Sequence, residues 1–166
     1  MFWLRPFRFL AKALTSEVTP RRMALGCALG LWVGLVPKGN LTGIALMMVL
    51  GTLRVNLGAG LLTAFVFSWI GSLTDPLTDR IGGLMLSAEW LRPLWTAMYD
   101  TPLLPWTGFN NSVVLGSFLL GMLLLYPCYR LTEPLFARYT PDIAERLGRF
   151  KVVQFIWGAD IAAKFR

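Results

Sequence analysis

The chain has 166 residues, 55% of them hydrophobic and 15% charged, with a mean hydropathy of +0.57. That leaves too little polar surface to coat a soluble globule of this size, and the composition predicts an all-α integral membrane protein with a membrane domain over 1–130 and a basic cytosolic tail over 131–166. The net charge of +7 does not read as a nucleic-acid footprint, because the basic residues flank apolar segments, and the absence of histidine excludes imidazole metal ligands and Ser-His or Cys-His nucleophile pairs.

At the amino terminus, Phe2, Trp3, Phe7 and Phe9 mix with Arg5, Arg8 and Lys12. This suits an amphipathic helix over 1–18, lying in the headgroup layer or packed on the protein's own tail, and the scattered arginines make a poor signal peptide. Thr19-Pro20 then opens a helix, threonine as cap and proline at the first helical position.

The run Met23 to Val36, the break Pro37-Lys38-Gly39-Asn40 and the run Leu41 to Leu53 organise the rest. Each run is about 14 residues and rises only ~21 Å as a helix, against a hydrocarbon slab of ~30 Å. The economical reading is a re-entrant helical hairpin over 23–53 with Lys38 and Asn40 at a tip wrapped by the other segments. Gly26, Gly30 and Gly34 form a smooth stripe at every fourth residue, a packing face for the second limb, through Gly43 and Gly51, or for another protein.

Leu57 to Leu73 is long enough to cross, and Pro76, within Thr74 to Arg80, is expected to stop that helix at the far interface. Ile81 to Asn111 mixes Trp90, Trp95 and Tyr99 with Glu89, Arg92 and prolines, which suits a periplasmic interfacial segment, and Asn111 or Ser112 can cap the next helix. Val113 to Tyr129 is the second crossing. Beyond Arg130, Thr140-Pro141 is expected to restart a basic amphipathic helix, for the membrane surface or for docking a partner. Cys27 and Cys128 read as small buried hydrophobes rather than a disulfide. Basic residues crowd both ends, the pattern of a multi-pass inner-membrane protein with both termini cytoplasmic.

Several stretches together resemble a known family: Ala24-Leu25-Gly26 through Gly34-Leu35-Val36-Pro37, Leu53-Arg54-Val55-Asn56-Leu57, Asp75-Pro76-Leu77, Leu94-Trp95-Thr96-Ala97-Met98-Tyr99-Asp100-Thr101-Pro102 and Phe109-Asn110-Asn111. They are similar to a family of small uncharacterised inner-membrane proteins, with a domain of unknown function, of bacteria that have an outer membrane. The resemblance covers most of 11–129. It implies a larger membrane-anchored envelope protein as partner and brings no active site, so no catalytic residue is carried over. The tail beyond Arg130 is longer than the family's pattern.

Lys38 is the charged residue placed deepest by this layout, and an ionisable group in a membrane is a functional candidate. Asp75 and Asp79 are its natural counter-charges; the expected pair is Lys38 with Asp75, against simple snorkelling of Lys38 to phosphate. Arg54 and Asn56, where the hairpin re-emerges, have two readings. One is a lipid-phosphate site; the other is an anchor and a helix cap. No recognised metal or cofactor spacing occurs. The expected function is therefore non-enzymatic: lipid handling or translocation with a larger partner, or alternatively a scaffold subunit, with membrane lipids as ligands and a homo-oligomer possible. A lipid-modifying enzyme is the less favoured reading.

Overall fold

The computed structural model describes residues 19–149, with side chains as far as Tyr139. The helix expected over 1–18 and the tail's last residues lie outside the described ones. All regular structure among the described residues is helical: α1 (Pro20–Leu35), α2 (Leu41–Thr52), α3 (Leu57–Ser87), a 3-10 turn (Glu89–Leu91), α4 (Arg92–Asp100), a second 3-10 turn (Leu104–Thr107) and α5 (Ser112–Arg149).

α1, α3 and α5 pack together, and most of α1 is buried between the two long helices. α1 and α3 run parallel, which the glycines make visible. A side chain at Gly26 would strike the Asn56 carbonyl at 2.5 Å, one at Gly30 the Gly60 carbonyl at 2.2 Å, and one at Gly34 the Phe67 Cβ at 2.5 Å. Backbone meets backbone along this seam because the hydrogens of glycine leave the room. The stripe is therefore consumed inside the chain, by α3, and neither α2 nor another protein receives it. On its opposite side α1 turns Trp32 toward α5, where the indole lies over Gly121, sits 5.1 Å from the Phe118 ring and donates from Nε1 to the Phe118 carbonyl at 3.0 Å.

α2 returns the chain to the level where α1 began, since the Asn56 N–H donates to the Arg22 carbonyl at 3.0 Å. The two limbs do form a hairpin, but they touch each other far less than α1 touches α3 and α5. Only Gly43, Leu46 and Leu50 of α2 are buried; Ile44, Met47 and Met48 face outward. The turn is not wrapped as expected. Val36 is buried and the Gly108 loop covers Asn40, while Lys38 and Gly39 are exposed.

Pro76 does not stop α3, which runs on to Ser87, so Ile81 to Ser87 belongs to this helix and not to the interfacial segment. α5 likewise carries Pro127, Pro134 and Pro141 without a break, and no helix restarts at Thr140. A proline deletes one backbone bond, whereas ending the helix would orphan a whole turn of donors and acceptors. Threonine hydroxyls flank Pro76 with bonds to the helix backbone, Thr74 donating to the Gly71 carbonyl at 3.0 Å and Thr78 to the Asp75 carbonyl at 3.1 Å, while the Ser72 carbonyl loses its helical donor. Just beyond, α3 and α5 cross at their closest, where Cβ atoms on Gly82 and Gly116 would collide with the Ser112 and Thr78 carbonyls.

The loop after α3 is aromatic. Trp95 donates to the Met85 carbonyl at 3.1 Å and stacks on buried Phe109, while Trp90 and Trp106 are about three-quarters exposed, at 77% and 76%.

Candidate functional site

Two cavities among the described residues gather charged and polar side chains: an open one of about 610 Å³ lined by Glu89, Arg92, Thr96 and Asp100, and a more enclosed groove of about 340 Å³ between the α1–α2 turn and the middle of α3. Lys38 lines it from the turn; Ser68, Ser72 and Asp75 line it from α3. The spacing of those three α3 residues, four and then three apart, puts them on one helix face. Ser68 to Asp75 lies about 17–27 Å along α3 from Leu57, counted at 1.5 Å per residue.

The groove brings Lys38 and Asp75 together without pairing them. The Lys38 ammonium instead donates to three main-chain carbonyls at the end of α1: Val33 at 2.8 Å, Gly34 at 2.8 Å and Val36 at 2.9 Å. The last carbonyls of a helix have no partner within it and carry the negative end of its dipole, so a cation folded back on them satisfies both. This uses all three ammonium hydrogens. The expected Lys38–Asp75 pair is therefore absent. Among the described residues, no hydrogen bond or ion pair engages the Asp75 carboxylate.

The other candidates are dispersed. Asn40 caps α2, accepting from the Gly43 N–H at 2.8 Å and donating to the Pro37 carbonyl at 2.8 Å. Asn56 is 1% exposed and caps α3 by accepting from the Ala59 N–H at 2.8 Å, which is the structural reading of that residue. Arg54 is exposed on the turn before it. Asp79 accepts a hydrogen bond from the Ser112 hydroxyl, tying α3 to α5 away from the groove. At the other end of the bundle, Arg21 meets Glu133 at 3.1 Å.

Ser68 and Ser72 escaped the sequence reading, as did the wedge made by Trp32. A signal existed in Ser68, Ser72, Asp75 and Pro76, polar or helix-breaking residues on one side of an otherwise apolar run. The reading of Pro76 as a helix end hid it, because face spacing has meaning only while the helix continues.

A second cavity of about 200 Å³ lies between α2, the second 3-10 turn and α5, lined by Met98, Leu104, Phe109, Val114 and Phe118 and almost wholly apolar. No cluster of three or more metal-ligating side chains occurs among the described residues.

Over 130 residues, 78% of the chain, the sequence is 28% identical to an uncharacterized protein of Treponema pallidum (strain Nichols), covering 80% of that protein. No protein-family model matches the chain. No solved structure matches it.

Proposed function

We propose that the chain is a non-enzymatic membrane component that handles lipid, carrying headgroups through the groove beside the α1–α2 turn. The observation that carries this reading is a polar, charged groove set between helices whose outer surfaces are apolar. Leu57–Ser87 and Ser112–Tyr139 are long and apolar enough to cross a membrane, and only 28% of each apolar window is buried within the protein. A soluble core helix of that hydropathy hides most of its surface, so these two call for an apolar solvent.

With α3 and α5 spanning, α1 and α2 enter from one side and turn back. Their rises of about 24 and 18 Å leave the turn inside the slab or just short of its far edge. Exposed Trp90 and Trp106 then sit at the far headgroups, where indoles are favoured. Short helices thin the bilayer around them, and a groove at the same depth shortens the apolar path for a headgroup. The distribution of basic residues supports cytoplasmic termini, and the family resemblance supports the bacterial inner membrane. The larger envelope partner rests on the family resemblance alone, since the glycine stripe supplies no docking face.

The test is reconstitution in liposomes bearing a trace of lipid labelled on one acyl chain. Dithionite bleaches only outer-leaflet label, so bleaching beyond one half reports translocation. Wild-type protein should exceed one half within minutes, and heat-denatured protein should not. Equal bleaching by the two would remove the translocation reading.

A further inference from the structure

Proton donors in the groove are already engaged. Lys38 gives its three hydrogens to α1 carbonyls. The Ser68 hydroxyl donates to the Ala64 carbonyl at 2.6 Å, and that of Ser72 to the Ser68 carbonyl at 3.5 Å. What remains open is acceptor capacity: both carboxylate oxygens of Asp75 and the lone pairs of the two hydroxyls. Pro76 adds to it, having no N–H to offer the carbonyl of Ser72 four residues back. With Ser68 and Asp75 half-buried and Ser72 exposed, the α3 wall presents one negative charge and several acceptors to a space of about 340 Å³ and has no free hydrogen-bond donor, while the Lys38 charge on the facing wall is held against the α1 carbonyls.

We infer that the groove binds a primary ammonium group, which donates to the Asp75 carboxylate and to the neighbouring serine oxygens. The inference deepens the lipid-handling reading and rests on it for the source of the ligand, which is the ethanolamine headgroup of a phospholipid. A quaternary ammonium carries the same charge but no N–H, so it leaves these acceptors unsatisfied. Among the lining residues no aromatic ring is present to hold it by its face. A glycerol headgroup offers only neutral hydroxyls to the carboxylate, and these bond it more weakly than a charged N–H does. Selection therefore follows the number of N–H donors on the nitrogen: ethanolamine first, its mono- and dimethyl derivatives in descending order, choline last. A free amine has the same chemistry, and the experiment separates it from the lipid.

The full chain is equilibrated in mixed micelles with equal amounts of ethanolamine, choline and glycerol phospholipids of identical acyl chains, and the lipids retained after purification are quantified. Wild type should retain the ethanolamine lipid about tenfold over the choline lipid, the scale of one charge-assisted hydrogen bond. Asp75→Asn should retain the three equally while keeping the wild-type helical spectrum and elution volume; Asp75→Glu should keep part of the preference. If millimolar ethanolamine leaves the enrichment intact, the ligand is the lipid. If ethanolamine abolishes it and stabilises wild type but not Asp75→Asn against heat, the site takes a free amine, and the ammonium assignment stands while its lipid source falls. Equal retention by wild type, or undiminished preference in Asp75→Asn, overturns the assignment. The bleaching assay fails or succeeds independently. Translocation without headgroup preference leaves lipid handling standing and removes this site, whereas preference without translocation keeps the site and removes translocation.

Discussion

α1 and α2 are neighbours in sequence, both short and both apolar, yet one is the most enclosed helix among the described residues and the other is mostly bare. Hydrophobicity does not separate them. α2, with Leu41, Ile44, Leu46, Met47, Met48, Val49 and Leu50 in its 12 residues, is if anything the greasier. The separation comes from shape. α1 has a glycine every fourth residue on one side and Trp32 on the other, so it can press its backbone against α3 and drive a ring into α5. Where the surroundings are as apolar as the side chains, burial follows close packing and hydrogen bonds, not grease.

The most severe way to break this contrast is to fill the seam of α1. Gly30→Val places its first carbon 2.2 Å from the Gly60 carbonyl, a backbone atom that cannot swing aside. Overpacking of this kind costs about 3 kcal/mol. Purified protein should lose its cooperative thermal transition, or melt about 10 °C lower, when followed by tryptophan fluorescence. An unchanged transition would mean that α1 and α3 are not in backbone contact.

Next is the end of α1. Lys38→Met removes three charge-assisted bonds to the helix-end carbonyls and should cost about 2 kcal/mol, a fall of roughly 4–8 °C in Tm for a chain of this size. Asp75→Asn should leave Tm within about 1 °C, as expected when no bond is lost. The asymmetry is the informative part: an ion pair would make both changes costly and their double mutant less than additive. Smaller again is Asn56→Ala, at about 1–2 kcal/mol, because a buried cap leaves the Ala59 N–H without its acceptor. The same substitution at Asn40, on the more open limb, should cost about half as much.

Those numbers also show what was readable beforehand. The hairpin, its turn and the two long apolar segments follow from run lengths and from the Pro37 to Asn40 break, since composition and helix rise are local properties. The caps at Asn56 and Asn111 were readable too, because an asparagine before an apolar run has few other uses. Partners were not. Gly26, Gly30 and Gly34 announce a close contact but carry no address, and the address turned out to be Asn56 to Phe67. Pro76 was over-read as a helix end and Thr140-Pro141 as a restart, because the rule for proline weighs one lost bond against a helix free to end in water. Lys38 was assigned a charged partner, when the nearest strong acceptors were the carbonyls of its own preceding helix, a fact of local backbone geometry that charge counting misses.

The smallest effect tests the open side of α2. A Cβ on Gly51 would meet nothing within 4 Å, unlike one at Gly30. Alanine there restricts the unfolded chain and improves helix propensity, a gain of up to about 1 kcal/mol in a helix interior. Gly51 is the next-to-last residue of α2, where that propensity counts for less, so Gly51→Ala should raise Tm by no more than a degree or two. The sign matters more than the size, because Gly30→Ala and Gly51→Ala exchange the same hydrogen for the same methyl in equally apolar helices. If Gly51→Ala lowers Tm as Gly30→Ala does, something in the working protein presses on α2 as closely as α3 presses on α1, and the bare limb is bare only in the isolated chain.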